Sequence, residues 1–147
     1  MTSIAMIEAA AIRLHGHVRM TPLLSSPALD ALAGRKLWIK AECLQRTGSF
    51  KARGAWAAVS ALPPALRAKG VIAFSSGNHA QGVAMAAAAH GTTSVIIMPA
   101  DAPRSKIDGT RALGGEVVLY DRAGGEDRDA LGARLSAERG LTLIRPL

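Results

Sequence analysis

A chain of 147 residues that is 49% apolar, with one cysteine and few aromatics, has the composition of one globular domain rather than a disordered segment. Its net charge of +7 raises the question of nucleic acid, but the basic residues are scattered and 3% aromatic content offers no stacking platform for bases. No apolar run approaches the roughly 20 residues that span a bilayer, and Glu8 interrupts the apolar N-terminus, so a cytoplasmic protein with no membrane or nucleic-acid partner is expected.

Residues 4–15 carry Ile4, Ile7, Ala11 and Leu14 at helical spacing and predict a helix. Thr21-Pro22-Leu23-Leu24 reads as extended, because the residue before a proline leaves the helical region. A short helix over 27–33 ends at Gly34, and residues 36–42 alternate like a strand, with Cys43 beside it as a packing residue. The next helix, over 50–62, is stopped by Pro63-Pro64. Four strands then follow, at 71–74, 94–98, 117–119 and 141–144, separated by helices over 78–90, from Pro103 to Gly114-Gly115, and over 126–139. Strands alternating with helical crossovers imply a parallel sheet. Residues 70–147 therefore read as a compact α/β unit, and residues 1–69 as a portion without an evident sheet of its own.

Two stretches carry the chemistry. Gly48-Ser49-Phe50-Lys51-Ala52-Arg53-Gly54-Ala55 places a lysine where a helix begins, with Ser49 as a candidate cap. The positive end of the helix dipole disfavours an ammonium there and favours the nucleophilic amine. Ser75-Ser76-Gly77-Asn78-His79 leads from a strand into an alanine-rich helix, whose first N–H groups suit a carboxylate or phosphate. His15, His17 and His90 have no partners at metal-ligand spacing, and no metal is expected. On the residues alone, a first-turn surface lysine and an ordinary helix cap with a turn glycine remain open.

Taken together, Lys40-Ala41-Glu42, Gln45 and Thr47–Ala55, then Ser75–Gly82, then Met98-Pro99, Ala102-Pro103, Lys106 and Thr110-Arg111 resemble the serine/threonine dehydratase family. That group of pyridoxal-phosphate enzymes includes serine racemase and hydroxyaspartate ammonia-lyase. The resemblance covers nearly the whole chain. It implies an open parallel sheet with helices on both faces, the tryptophan synthase β-like fold of type II pyridoxal-phosphate enzymes, here incomplete. Residues 1–69 would be part of the large cofactor domain and residues 70–147 the small domain.

By position, the resemblance implies that Lys51 holds pyridoxal 5′-phosphate as a Schiff base and moves the Cα proton. Phe50 would pack beside the cofactor, and Asn78 would hydrogen-bond the pyridoxal 3′-oxygen. Ser75, Ser76, Gly77, Asn78 and His79 would line the substrate carboxylate site, with Ser76 where racemases place a second acid/base. The implied reaction is β-elimination of water from a hydroxyamino acid (threonine or serine, with 3-hydroxyaspartate open), giving a 2-oxo acid and ammonia.

The family continues beyond this length with a glycine-rich phosphate loop and a residue facing the pyridine nitrogen. The expected state is therefore a truncated lyase with little activity alone, whose partner is the missing C-terminal half or a second copy. Alternatives are a serine-racemase-type isomerase, a non-catalytic α/β interaction module, and synthase chemistry on the same fold.

Overall fold

A computed structural model of the chain describes residues 3–146. Helix α1 (Ile4–Leu14) starts on Ser3, whose hydroxyl accepts from the Met6 N–H. Strand β1 (Leu23–Leu24) leads through α2 (Pro27–Ala33) to β2 (Ile39–Lys40). Helix α2 is bounded as its sequence dictates, by the Ser26 cap and Pro27 at its start and by Gly34 at φ 64° at its end.

β1 and β2 pair antiparallel, Leu23 opposite Lys40, so residues 1–69 do hold a two-stranded sheet of their own. Only two residues of the expected 36–42 strand pair. The chain turns at Ala41 into two short 3-10 turns, Glu42–Leu44 and Arg46–Gly48. Cys43 sits in the first of them, exposed rather than packed.

Helix α3 (Lys51–Ala61) ends before the proline pair, and Pro64 opens a further single turn, α4 (Pro64–Arg67), absent from the sequence reading. Then come β3 (Val71–Phe74), α5 (Asn78–Ala89), β4 (Ser94–Pro99), α6 (Arg104–Ala112), β5 (Glu116–Tyr120), α7 (Arg128–Arg139) and β6 (Thr142–Leu143). The expected last helix begins two residues late. Asp127 is its cap, accepting from the N–H groups of Asp129 and Ala130, and Glu126 precedes it.

The four strands β3–β6 are parallel, in the order β5-β4-β3-β6. Strand β4 is central and buried at every residue, which explains its continuous apolar run. On one face Ala73, Ile96 and Met98 pack with Trp56 and Val59 of α3 and Val83 of α5. On the other, Ile72, Val95 and Ile97 pack with Leu131 of α7. Small residues set the depth of the α3–α5 contact. A Cβ at Gly82 would lie 3.0 Å from the Lys51 carbonyl oxygen, so the close approach of α5 to the first turn of α3 favours glycine there.

Candidate active site

The approach to Lys51 is fixed by a buried glutamine. Gln45 accepts at Oε1 from the N–H groups of Arg19 (2.8 Å) and Arg46 (2.9 Å) and donates from Nε2 to the Arg19 carbonyl (2.9 Å). Thr47 follows at φ 60°, a left-handed conformation that costs a β-branched residue about 1–3 kcal/mol. Ser49 does not cap α3. Its hydroxyl and that of Thr47 are buried without a hydrogen-bond partner among the described residues. Phe50, already helical at φ −59° and ψ −20°, precedes the helix, and the Lys51 Nζ lies 4.9 Å from its ring centroid.

On the other side, β3 ends at Phe74 and the chain turns into α5. Gly77 stands at the cap position and no side chain caps the helix. The Ser75 hydroxyl instead accepts from the Gly77 N–H at 3.1 Å. The first N–H groups of α5 thus have no side-chain acceptor among the described residues, the arrangement that receives a carboxylate. A Cβ at Gly77 would meet no atom within 4 Å, so this backbone is open to a ligand.

His79 is buried, and its Nε2–H donates to the Ile144 carbonyl at 3.1 Å. Burial pushes its pKa below the usual imidazole value and the Lys51 charge acts in the same direction, against the Ile144 hydrogen bond. Asn78 accepts at Oδ1 from Lys106 Nζ, 3.1 Å away.

These pieces surround one cavity of about 480 Å³, within the range of small-molecule sites. Phe74, Pro99 and Tyr120, the last residues of β3, β4 and β5, floor it, so it lies at the carboxyl ends of the strands. Phe50, Lys51, Ser75, Ser76, Gly77, Asn78 and His79, all singled out in the sequence, line it together.

Arg122 and Arg128, which the sequence reading passed over, also line it. Arg122 pairs with Asp101 at 2.7 Å, and Arg128 lies 5.1 Å over the Phe74 ring. They follow the end of β5, and that location was the available signal. His17 and His90 serve elsewhere, flanking Trp56 with ring centroids at 4.3 and 4.6 Å. No group of three or more His, Cys, Asp or Glu side chains placed to hold a metal occurs among the described residues.

Residues 14–147 match the family described as pyridoxal-phosphate dependent enzyme. The chain belongs to that family.

An L-threo-3-hydroxyaspartate ammonia-lyase from a Pseudomonas species is 51% identical over 135 residues, covering 92% of this chain and 42% of that protein. One from Saccharomyces cerevisiae is 44% identical, covering 93% of this chain and 42% of its own. The structure of maize serine racemase superimposes with a TM-score of 0.93 at 40% identity, covering 99% of this chain and 44% of that one. The chain thus spans less than half the length of these relatives.

Its open parallel sheet with helices on both faces is the fold of type II pyridoxal-phosphate enzymes. The cofactor of the family is pyridoxal 5′-phosphate, and the residues present fit it. Lys51 and Asn78 line one cavity of suitable size, and two buried hydroxyls immediately before the lysine lack hydrogen-bond partners among the described residues.

Proposed function

We propose that this chain is the lysine-bearing portion of a pyridoxal-phosphate-dependent ammonia-lyase acting on a β-hydroxy amino acid, with 3-hydroxyaspartate the favoured substrate. The carrying observation is the shared cavity, in which Lys51 and the Ser75–His79 loop meet Arg122 and Arg128. Bound pyridoxal phosphate supplies an electron sink for the pair left when a Cα proton departs.

The chain's own residues do the rest. Lys51 Nζ would hold the cofactor and, once the substrate amine has displaced it, would be the released amine that accepts the Cα proton. Asn78 donates to the pyridoxal 3′-oxygen, while Phe50 packs beside the ring. The open first turn of α5, with Ser75, Ser76 and Gly77, binds the α-carboxylate. Loss of the Cα proton and the β-hydroxyl as water, then hydrolysis of the released enamine, gives a 2-oxo acid and ammonia.

The two arginines favour a dicarboxylic substrate. The α-carboxylate is already provided for by α5, and the small neutral β-substituents of serine and threonine would offer no charge to an arginine at the cavity, Arg122 beside Asp101 or Arg128 beside Asp129. A β-carboxylate would meet it with charge-assisted hydrogen bonds. The two hydroxyaspartate ammonia-lyases among the relatives support the same choice.

A second reading, a serine-racemase-type isomerase, draws on Ser76, a proton-carrying hydroxyl in the same cavity as Lys51. Large apolar side chains stand exposed along the first forty residues, among them Ile12, Met20, Leu32 and Trp38. This supports association of that face with the remaining length found in relatives, or with a second copy.

The test is borohydride trapping of pyridoxal phosphate on the chain, wild type against Lys51→Ala. Reduction onto Lys51 alone, lost in the variant, supports the reading. Equal labelling of Lys36, Lys40, Lys69 and Lys106 overturns Lys51 as the selected amine. With the remaining half supplied, faster turnover of 3-hydroxyaspartate than of serine, lost in Arg128→Ala, supports the substrate choice; no preference overturns it.

A further inference from the structure

We propose that Lys106 is a positioning residue, whose ammonium holds Asn78 Oδ1 and so leaves the Asn78 N–H donors for the cavity. The inference rests on the reading of Asn78 as the donor to the pyridoxal 3′-oxygen.

The placement of Lys106 is built from below. Helix α6 is anchored by Ile107, buried in the main core, and by Thr110, fully buried, whose hydroxyl donates to the Lys106 carbonyl at 2.8 Å. At Gly109 α6 lies against the Gln81 side chain of α5, whose flexible carboxamide is what an added Cβ would meet. The first turns of the two helices are thereby held side by side, and Lys106 Nζ reaches Asn78 Oδ1 at 3.1 Å.

The chemistry of the pair then fixes the amide. An ammonium has three donors and no acceptor, so the amide atom facing it is the oxygen. The amide group is planar, so its nitrogen is directed away from Lys106, and Asn78 lines the cavity. A pyridoxal 3′-oxygen is an acceptor and needs that nitrogen. Without Lys106 the amide can turn through a half rotation and present its oxygen instead, setting two acceptors against each other. Lys106 thus selects the productive orientation without touching the ligand.

Two measurements decide this. In the ligand-free chain, nitrogen relaxation of the Asn78 side-chain amide should show an ordered group in wild type and in Lys106→Arg, and a loosened one in Lys106→Met. Equal order in all three overturns the proposal, and this result needs no cofactor.

Pyridoxal phosphate affinity, read by absorbance titration, supplies the second. Lys106→Met should weaken binding roughly tenfold, as expected for a lost hydrogen bond to a charged group. It should have no further effect in an Asn78→Ala background, and Lys106→Arg should restore binding. Equal losses in both backgrounds would mean that Lys106 acts on the ligand directly, which overturns the proposal. If Asn78→Ala binds as wild type does, or wild type does not bind, the cofactor reading of Asn78 falls and the proposal falls with it. The relaxation data would still show whether the Lys106–Asn78 tie exists.

Discussion

The Arg53 guanidinium grips both carboxylate oxygens of Glu42, Nε to Oε2 and Nη2 to Oε1, each at 2.8 Å. Thr21 Oγ1 donates to the same carboxylate, and Arg53 also reaches the Arg19 carbonyl. Arg53 lies two residues past Lys51, so this pair ties the lysine's helix to the turn that delivers it. The guanidinium holds the Glu42 carboxyl at about 2, below its ordinary 4.5, against the opposing effect of burial.

The depressed carboxyl makes the tie pH-dependent. The carboxylate's contribution is fully present above pH 4.5 and is lost as pH falls toward 2. By pH 3 wild type should lose about 2 kcal/mol more than Glu42→Gln, starting from pH 5. Urea unfolding of both proteins at pH 5, 4 and 3 checks this; parallel pH profiles would contradict it.

Gln45 should tolerate replacement badly. It is 2% exposed, and its carboxamide satisfies two N–H groups and one carbonyl. Gln45→Leu keeps the bulk and strands all three, so a loss of about 2–4 kcal/mol is expected. Gln45→Glu still accepts but cannot donate to Arg19 O, and should fall between. Chemical denaturation of the three proteins gives the order directly.

What the sequence made legible follows from how local each cause was. Helix α2 could be bounded from Ser26, Pro27 and Gly34 because cap and stop chemistry act within a turn. The buried β4 could be placed because five apolar or small residues run unbroken. The pairing of Leu23 with Lys40 was not legible, since a two-residue β1 leaves no alternation to match against that of residues 36–42. Nor was Ser49: a serine before a helix reads as a cap, whereas here Phe50 is already helical. In the cavity, Lys51 and the Ser75–His79 loop stood out by their motifs. Arg122 and Arg128 did not, because among scattered arginines their one mark is that they follow the end of β5.

Gly132→Ala should behave against helix propensity. At an exposed helix interior the change gains about 1 kcal/mol. Here the new Cβ would strike the Phe74 ring, which sits under the cavity with Arg128 over it. A net loss of about 1–3 kcal/mol is expected, together with weaker pyridoxal phosphate binding as Phe74 is pushed aside. Gly77→Ala, whose Cβ would meet nothing within 4 Å, should leave stability within about 0.5 kcal/mol of wild type. Thermal melts and absorbance titrations of both variants separate the cases.

His79 supplies a second pH limb, distinct from that of Glu42. Burial holds its folded pKa below 6.5, with the Lys51 charge adding to the effect. Above pH 6.5 the imidazole is neutral in both folded and unfolded chains, and the stability of the buried ring is fully present. As pH falls below 6.5 the unfolded chain takes up its proton first, so stability declines until the folded pKa is passed. His79→Gln keeps a donor for the Ile144 carbonyl and removes the titration. Wild type should therefore lose stability between pH 7 and pH 5 relative to the variant, before the Glu42 limb begins. His15, His17 and His90 are common to both proteins and cancel in the comparison. A constant difference across that range would show that His79 does not titrate with unfolding.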